Sequence, residues 1–150
     1  LSAAAMKIKK HYPQIDVSVR APQELLMIPM DIILIEQVLI NLMENAVQHG
    51  KTTTRIELRL SSAGGLAVFE VADNGCGIEK ELLPHLFDGY LTRDQEEISD
   101  QRRNMGIGLS VCMSIVQAHG GTMRAENRKK GGALLQFSLP LEENSHEHQR

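Results

Sequence analysis

Two asparagines one helical turn apart, Asn41 and Asn45, stand in the stretch NLMENAVQHG, residues 41–50. An amide oxygen is a neutral, hard ligand. Mg²⁺ keeps several waters while it bridges phosphates and needs few protein anchors, so Asn45 is a candidate metal ligand. In DNGCGI (73–78), Asp73 offers a carboxylate able to accept from an exocyclic amine, and Gly75 and Gly77 let main chain approach a flat base. Gly106 and Gly108, in NMGIGLSVC (104–112), stand where a loop is expected to become a helix. Free amides and the positive end of the dipole make such a junction attractive to phosphate. A fourth segment, HGGTMRAEN (119–127), follows. Each signal alone has an ordinary reading: asparagines on a solvated face, an Asp-x-Gly-x-Gly turn, glycines at a helix start for packing. The ordered set points instead to one site for a nucleoside triphosphate and its cation.

Such groups need a helix, a strand end and a helix start to hold them. Residues 15–20 (IDVSVR) alternate apolar and polar as a half-buried strand should, and Pro22 ends the run. Lys7, Lys9 and Lys10 flank this first strand, and a second short strand is expected from Leu25 to Ile28. Asp31 is placed to cap a helix from Ile32 to Gln48. Its apolar residues Ile35, Val38, Leu39, Leu42, Met43 and Ala46 recur at three and four, and Gln37, Asn41, Asn45 and Gln48 form a polar stripe beside them. Gly50 ends this helix, and His49 shapes its end. Strands are expected from Thr53 to Leu60 and Leu66 to Ala72 around the loop 61–65, with a short helix over 79–85. From Leu86 to Met105 periodicity disappears, and an unpatterned stretch of that length is usually functional. A helix from about Gly106 to His119 and strands Thr122–Asn127 and Ala133–Leu139 complete the order, with Arg128, Lys129 and Lys130 in a solvated turn. The pattern predicts an α/β (α+β) two-layer sandwich: a mixed, largely antiparallel sheet of about five strands with about three helices on one face.

At 150 residues and 42% hydrophobic content the chain can bury one core. One domain over 1–142 and a polar tail over 143–150 follow. A net charge of −3 argues against nucleic-acid binding through bulk electrostatics, which needs clustered excess cations. Two cysteines make neither a disulfide framework nor a zinc site and suit a reducing compartment. The densest apolar stretch, 32–43, is interrupted by Glu36, Gln37 and Asn41, so no membrane contact is expected.

The four segments resemble the N, G1, G2 and G3 boxes of the superfamily that joins DNA gyrase, heat-shock chaperone ATPases, mismatch-repair proteins and sensor histidine kinases. The likeness covers roughly residues 15–140. LIEQVLINLMENAVQHG, MGIGLSVC, AHGGTMRAEN and GGALLQFSLP look most like the histidine-kinase branch, and within it the potassium-responsive, KdpD-type sensor kinases. The resemblance implies a Bergerat-type fold binding ATP and Mg²⁺. It assigns Asn45 to Mg²⁺, Asn41 to phosphate or its waters, and Asp73 to the adenine amino group. Gly75 and Gly77 would shape the base pocket, lined by Ile78, Leu109 and Val47. Gly106, Ile107 and Gly108 would hold phosphates under a lid over 86–105, with Phe87 as its aromatic anchor. The superfamily's ATPases carry a Glu four residues before the magnesium Asn, to activate water; that place here is Asn41. An amide is no base near neutral pH, so hydrolysis should be slow and the γ-phosphoryl group kept for a histidine acceptor. Glu44 lies about 100° round the helix from Asn45 and is no replacement.

Departures from the pattern matter too. Gln48 and His49 are counted among the nucleotide-binding candidates, although Gln48 stands where many sensor kinases carry a phosphate-reaching Lys; Arg102 and Arg103 are counted with them and could supply that charge, or simply belong to a charged loop. Asn104 replaces the first Gly of the third box, restricting the lid hinge unless it takes a left-handed conformation. None of the six histidines has the acceptor context, so the resemblance implies a catalytic domain whose acceptor helix, dimer interface and sensor region lie upstream, in the cytoplasmic part of a membrane-anchored bacterial kinase. Its partners would be that dimerisation and histidine-phosphotransfer domain and, through it, a response regulator. A nucleotide-gated ATPase module and a degenerate regulatory domain are the alternatives.

Overall fold

Residues 1–22, 28–49, 52–87 and 100–141 are described by the computed structural model, the side chains of 49, 85 and 100–107 excepted. The chain opens with helix α1, Ser2–His11. The sequence reading placed this segment as a strand flank. Its run of Ala, Met and Lys favours helix, and Ala4, Ala5 and Ile8 bury one face against the next helix while Lys9, Lys10 and His11 complement the C-terminal dipole. Pro13 follows the C-cap Tyr12, and a residue before proline is pushed out of the helical region.

Strand β1 (Asp16–Arg20) follows, then α2 (Ile32–His49), β2 (Arg55–Ala63) and β3 (Leu66–Asp73). Asp31 caps α2 as expected: its Oδ1 accepts from the Leu34 amide at 3.1 Å. All six residues of the apolar face, from Ile35 to Ala46, are buried. β1 and β2 pair in parallel with Val17 opposite Ile56, so α2 is the crossover of a βαβ unit. β2 and β3 form a hairpin closed by Gly64 and Gly65 alone, at φ 58° and 79°. Two residues at positive φ give a turn whose twist matches the strands, so the strand extends to Ala63 rather than stopping at Leu60.

A 3₁₀ turn at Leu83–His85 stands where a short helix was expected. Helix α3 runs from Asp100 to Ala118 and leads into β4 (Thr122–Asn127) and β5 (Ala133–Pro140). Among the described residues the sheet has five strands in the order β1-β2-β3-β5-β4, antiparallel except for β1 with β2. The expected strand Leu25–Ile28 falls on residues outside the description except Ile28, which is in no strand; the tail 143–150 lies outside it too.

One face of the sheet, bearing Val17, Ile56, Leu58, Phe69, Val71, Leu135, Phe137 and Leu139, meets Ile8, Ile35, Leu42, Leu109, Cys112 and Val116 from the helices. Phe69 and Phe137, opposite each other on β3 and β5, stack with centroids 4.6 Å apart. The other face is polar. Arg20, Arg59, Glu70, Gln136 and Arg124 lie in one register row across all five strands. Arg124 donates to Gln136, and Gln136 to Glu70. Arg59 Nη1 is 3.6 Å from Glu70, and Arg20 is 3.0 Å from Glu57. Among the described residues, the predicted two-layer α/β sandwich, a mixed sheet under three helices, is the observed fold.

Candidate nucleotide site

Helix α2 brings its amide stripe alongside α3. The Asn41 Nδ2 atom lies 3.7 Å from Cys112 Sγ on α3, and Asn41 Oδ1 accepts from Gln37 at 3.2 Å. Asn45, one turn on, is half-buried, and its amide makes no hydrogen bond among the described residues. That leaves a hard oxygen uncommitted on a rigid helix, a donor chemistry that fits Mg²⁺. Glu44 faces elsewhere, lining a groove with Lys7, Lys10 and His11 of α1. Gln48 also turns to α1, donating to Tyr12 Oη at 3.2 Å. Thr53 closes the helix end by donating to the Ala46 carbonyl at 2.6 Å.

Asp73, the last residue of β3, is 5% exposed. Its Oδ1 accepts from the amides of Gly75 at 2.8 Å and Ala133 at 3.2 Å. Oδ2 has no hydrogen-bond partner among the described residues. Burial pushes the Asp73 carboxyl above its ordinary range, opposed by those two amides and by the charge of Arg128. The loop after Asp73 is held at two points. Asn74 Oδ1 accepts from the amides of Thr54 and Arg55, each at 3.0 Å. At the other end, Asn127 accepts from the Ile78 amide at 2.7 Å and donates to the Ile78 carbonyl at 2.9 Å. Gly77 sits between at φ 85°, where a Cβ would come within 2.8 Å of Asn127 Oδ1. Ile78 and Val47 are half-buried against the core, and Leu109 is fully buried.

The start of α3 departs from expectation. The helix begins at Asp100, six residues before Gly106, so Gly106, Ile107 and Gly108 lie inside it. Gln, Arg and Met carry enough helix propensity to extend the element upstream of its apolar pattern, and Asp100 suits the first turn because an acid complements the helix dipole. Beyond the first four residues a helical N–H is committed to the carbonyl four residues back, so in this arrangement the two glycines do not present free amides. Asn104 is likewise within the helix, not left-handed. Open space surrounds Gly108 where a side chain would be. The side chains of Arg102, Arg103 and His49 lie outside the described residues, as does most of the expected lid, 88–99; Phe87, at its near end, packs against the core.

Three residues that support the site were given no role by the sequence reading: Asn74, Asn127 and Arg128. Arg128 is not a solvated turn cation, as expected, because its Nη1 donates to the Asp73 carbonyl at 2.7 Å. Asn127 closes the fourth quoted segment, but only the fold brings it within reach of a loop 49 residues away in sequence.

The sequence profile described as histidine kinase-, DNA gyrase B- and HSP90-like ATPase matches residues 30–143. The chain is 39% identical over 142 residues to the sensor protein KdpD of Clostridium acetobutylicum, covering 95% of this chain and 16% of that protein. It thus spans about one sixth of the length of that relative. Among solved structures it is similar to the ATP binding domain of PrrB from Mycobacterium tuberculosis, with TM-score 0.76 and 27% identity over 95% of this chain and 92% of that one. Full-length ShkA in complex with AMPPNP matches with TM-score 0.74 and 25% identity, over 93% of this chain and 29% of that one. The chain belongs to the family of histidine kinase-, DNA gyrase B- and HSP90-like ATPases, within which it is a catalytic, ATP-binding domain of the sensor histidine kinase type.

Proposed function

We propose that this domain binds Mg-ATP and passes the γ-phosphoryl group to a histidine on a separate dimerisation domain, from which an aspartate of a response regulator takes it. The observation that carries this reading is the amide at Asn41. It stands one turn before Asn45, engaged with Gln37 and Cys112, while Glu44 faces α1. Where the superfamily's ATPases carry the general base that takes a proton from the attacking water, this chain has a group that takes no proton.

Asn45 would anchor Mg²⁺ and Asn41 would contact phosphate or its waters. Bound there, the cation neutralises charge that develops on the phosphate oxygens. Asp73 would accept from the adenine amino group through Oδ2, with Gly75 and Gly77 beneath the base and Ile78, Leu109 and Val47 around it. Gly106, Ile107 and Gly108 would take the phosphates once the first turns of α3 unwind. Two glycines inside a helix each weaken it by about 1 kcal/mol relative to alanine, which lowers the cost of that change. Arg102 and Arg103 would supply the cation that Gln48, turned to Tyr12, does not. The rest is positioning. The triphosphate analogue bound by ShkA supports the same ligand class here. The likeness to KdpD supports a membrane-anchored parent kinase with this domain in the cytoplasm and a potassium or osmotic stimulus.

Calorimetry and γ-labelled ATP test this together. The domain alone is expected to bind ATP and ADP with Mg²⁺ and to take up no stable acid-labile label, whereas an added acceptor-helix domain of the same kinase becomes labelled. Asn45→Ala should cost on the order of tenfold or more in Mg-dependent affinity. Phosphate release well above background, abolished by Asn41→Ala, would overturn the reading in favour of an ATPase.

A further inference from the structure

We propose that Arg128 is a positioning residue for base recognition, gripping the end of β3 through the Asp73 carbonyl and setting a cation beside the carboxylate. This role rests on the reading that Asp73 accepts from the 6-amino group of adenine.

The end of the β4–β5 hairpin touches both ends of the base loop. At Asp73 it supplies the Arg128 Nη1 donor at 2.7 Å to the carbonyl oxygen and the Ala133 amide at 3.2 Å to Oδ1. At Ile78 it supplies both halves of the Asn127 clamp. Gly132, at φ 93°, lies so close that a Cβ there would fall 2.0 Å from the Asp73 carbonyl oxygen. The hairpin end and the strand end are thus in backbone contact, and Arg128 reaches back across that contact.

The electrostatics point the same way. Desolvation raises the Asp73 carboxyl, and an ionised acceptor is what an amine donor needs. Among the described residues Arg128 is the charged group that opposes this rise. From β2, Ile56 lies opposite Asp73, and the adjacent Arg55 is exposed beside Asp16 at 3.8 Å. From the hairpin, Lys129 and Lys130 are exposed, and Glu44 of α2 faces α1. The competing account is that Arg128 only closes its own hairpin. That account predicts no effect on how Asp73 titrates.

The test compares ATP with purine ribonucleoside triphosphate, which lacks the 6-amino group, from about pH 4 upward, with Mg²⁺. Phosphate and metal titrate alike in the two nucleotides, so the ratio of their Kd values isolates the amino group. For the wild-type protein this ratio should exceed one where Asp73 is ionised and fall towards one as Asp73 protonates. Arg128→Gln should move the midpoint of that fall upward by about half a pH unit or more. Arg128→Lys keeps the charge and loses the fork, so its midpoint should stay near wild type while the ratio drops about threefold. A folded Arg128→Gln protein with wild-type midpoint and ratio would overturn the role. If that variant does not fold, a wild-type ratio in Arg128→Lys overturns it instead. A wild-type ratio of one at every pH removes the base reading itself, and this role with it.

Discussion

The two cysteines show how far environment separates identical side chains. Cys76 is exposed in the base loop, whereas Cys112 is buried beneath α2, and burial pushes its thiol up to about 11 against a small opposing effect of Asn41. Iodoacetamide at neutral pH is expected to label Cys76 in the native domain and to reach Cys112 only in denaturant; mass spectrometry of the two peptides decides it. Asp73 gives a sharper prediction. Its folded pKa lies above the ordinary carboxylate value, so the native state holds the proton more tightly than the unfolded chain. The group therefore favours folding in acid, and that contribution is lost as pH rises through the raised folded value. Asp73→Asn keeps an acceptor for the Gly75 and Ala133 amides and never ionises. Its stability relative to wild type should grow from about pH 4 towards neutrality, read as the difference in Tm. A melting point well below wild type at neutral pH would contradict this. The same variant turns an NH₂ towards the base, so ATP affinity should fall on the order of tenfold or more while a 6-oxo purine triphosphate is favoured. Asp73 was legible because strand, acid and glycines are neighbours in sequence. Its supports were not: Arg128 and Ala133 are 55 and 60 residues away, and no local pattern announces such partners.

At the scale of elements, the start of α2 and the end of α3 are joined by one imidazole. His119 Nε2 accepts from the Asp31 amide at 3.0 Å, and Nδ1 lies 2.8 Å from the Ile115 carbonyl. The carbonyl can only accept, so the proton is on Nδ1. Asp31 in turn caps α2. Asp31→Ala is expected to cost about 1 kcal/mol and His119→Ala about 1 to 2 kcal/mol in urea unfolding. The double variant should fall short of their sum, because both changes release the same helix start. Additive losses would separate the two contacts. The elements themselves were unevenly legible. α2 was read to its cap because apolar period, acid and glycine agreed. α1 was missed because only three of its ten residues are buried and its lysines hid a weak pattern. The first six residues of α3 were missed for the opposite reason: they have propensity without periodicity, and the reading relied on periodicity.

For the whole molecule, the layer arrangement followed from the order of strands and helices, yet the parallel pairing of β1 with β2 did not, since alternation within a strand carries no direction. No helix among the described residues is long and apolar enough to cross a membrane. Nor do three or more His, Cys, Asp and Glu among them form a group that could hold a metal ion. Because the proposed cation is held by Asn45 together with the phosphates of the nucleotide, chelation by EDTA is expected to leave the Tm of the free domain unchanged and to erase most of the gain conferred by ATP. With Mg²⁺ that gain should approach about 2.7 kcal/mol at a hundredfold excess over Kd. A fall in the free domain's Tm on chelation would reveal a structural metal. The anchorage of α3 has a mechanical corollary. Its far end is bolted down by His119 and by Gly121, where a Cβ would lie 1.9 Å from the Ser138 carbonyl oxygen. Gly106 stands thirteen residues up the same rod, about 20 Å from that bolt at 1.5 Å per residue. Unwinding of the first turns would thus be confined to the end of α3 far from this bolt, leaving the buried stretch that carries Leu109, Cys112 and Val116 in place.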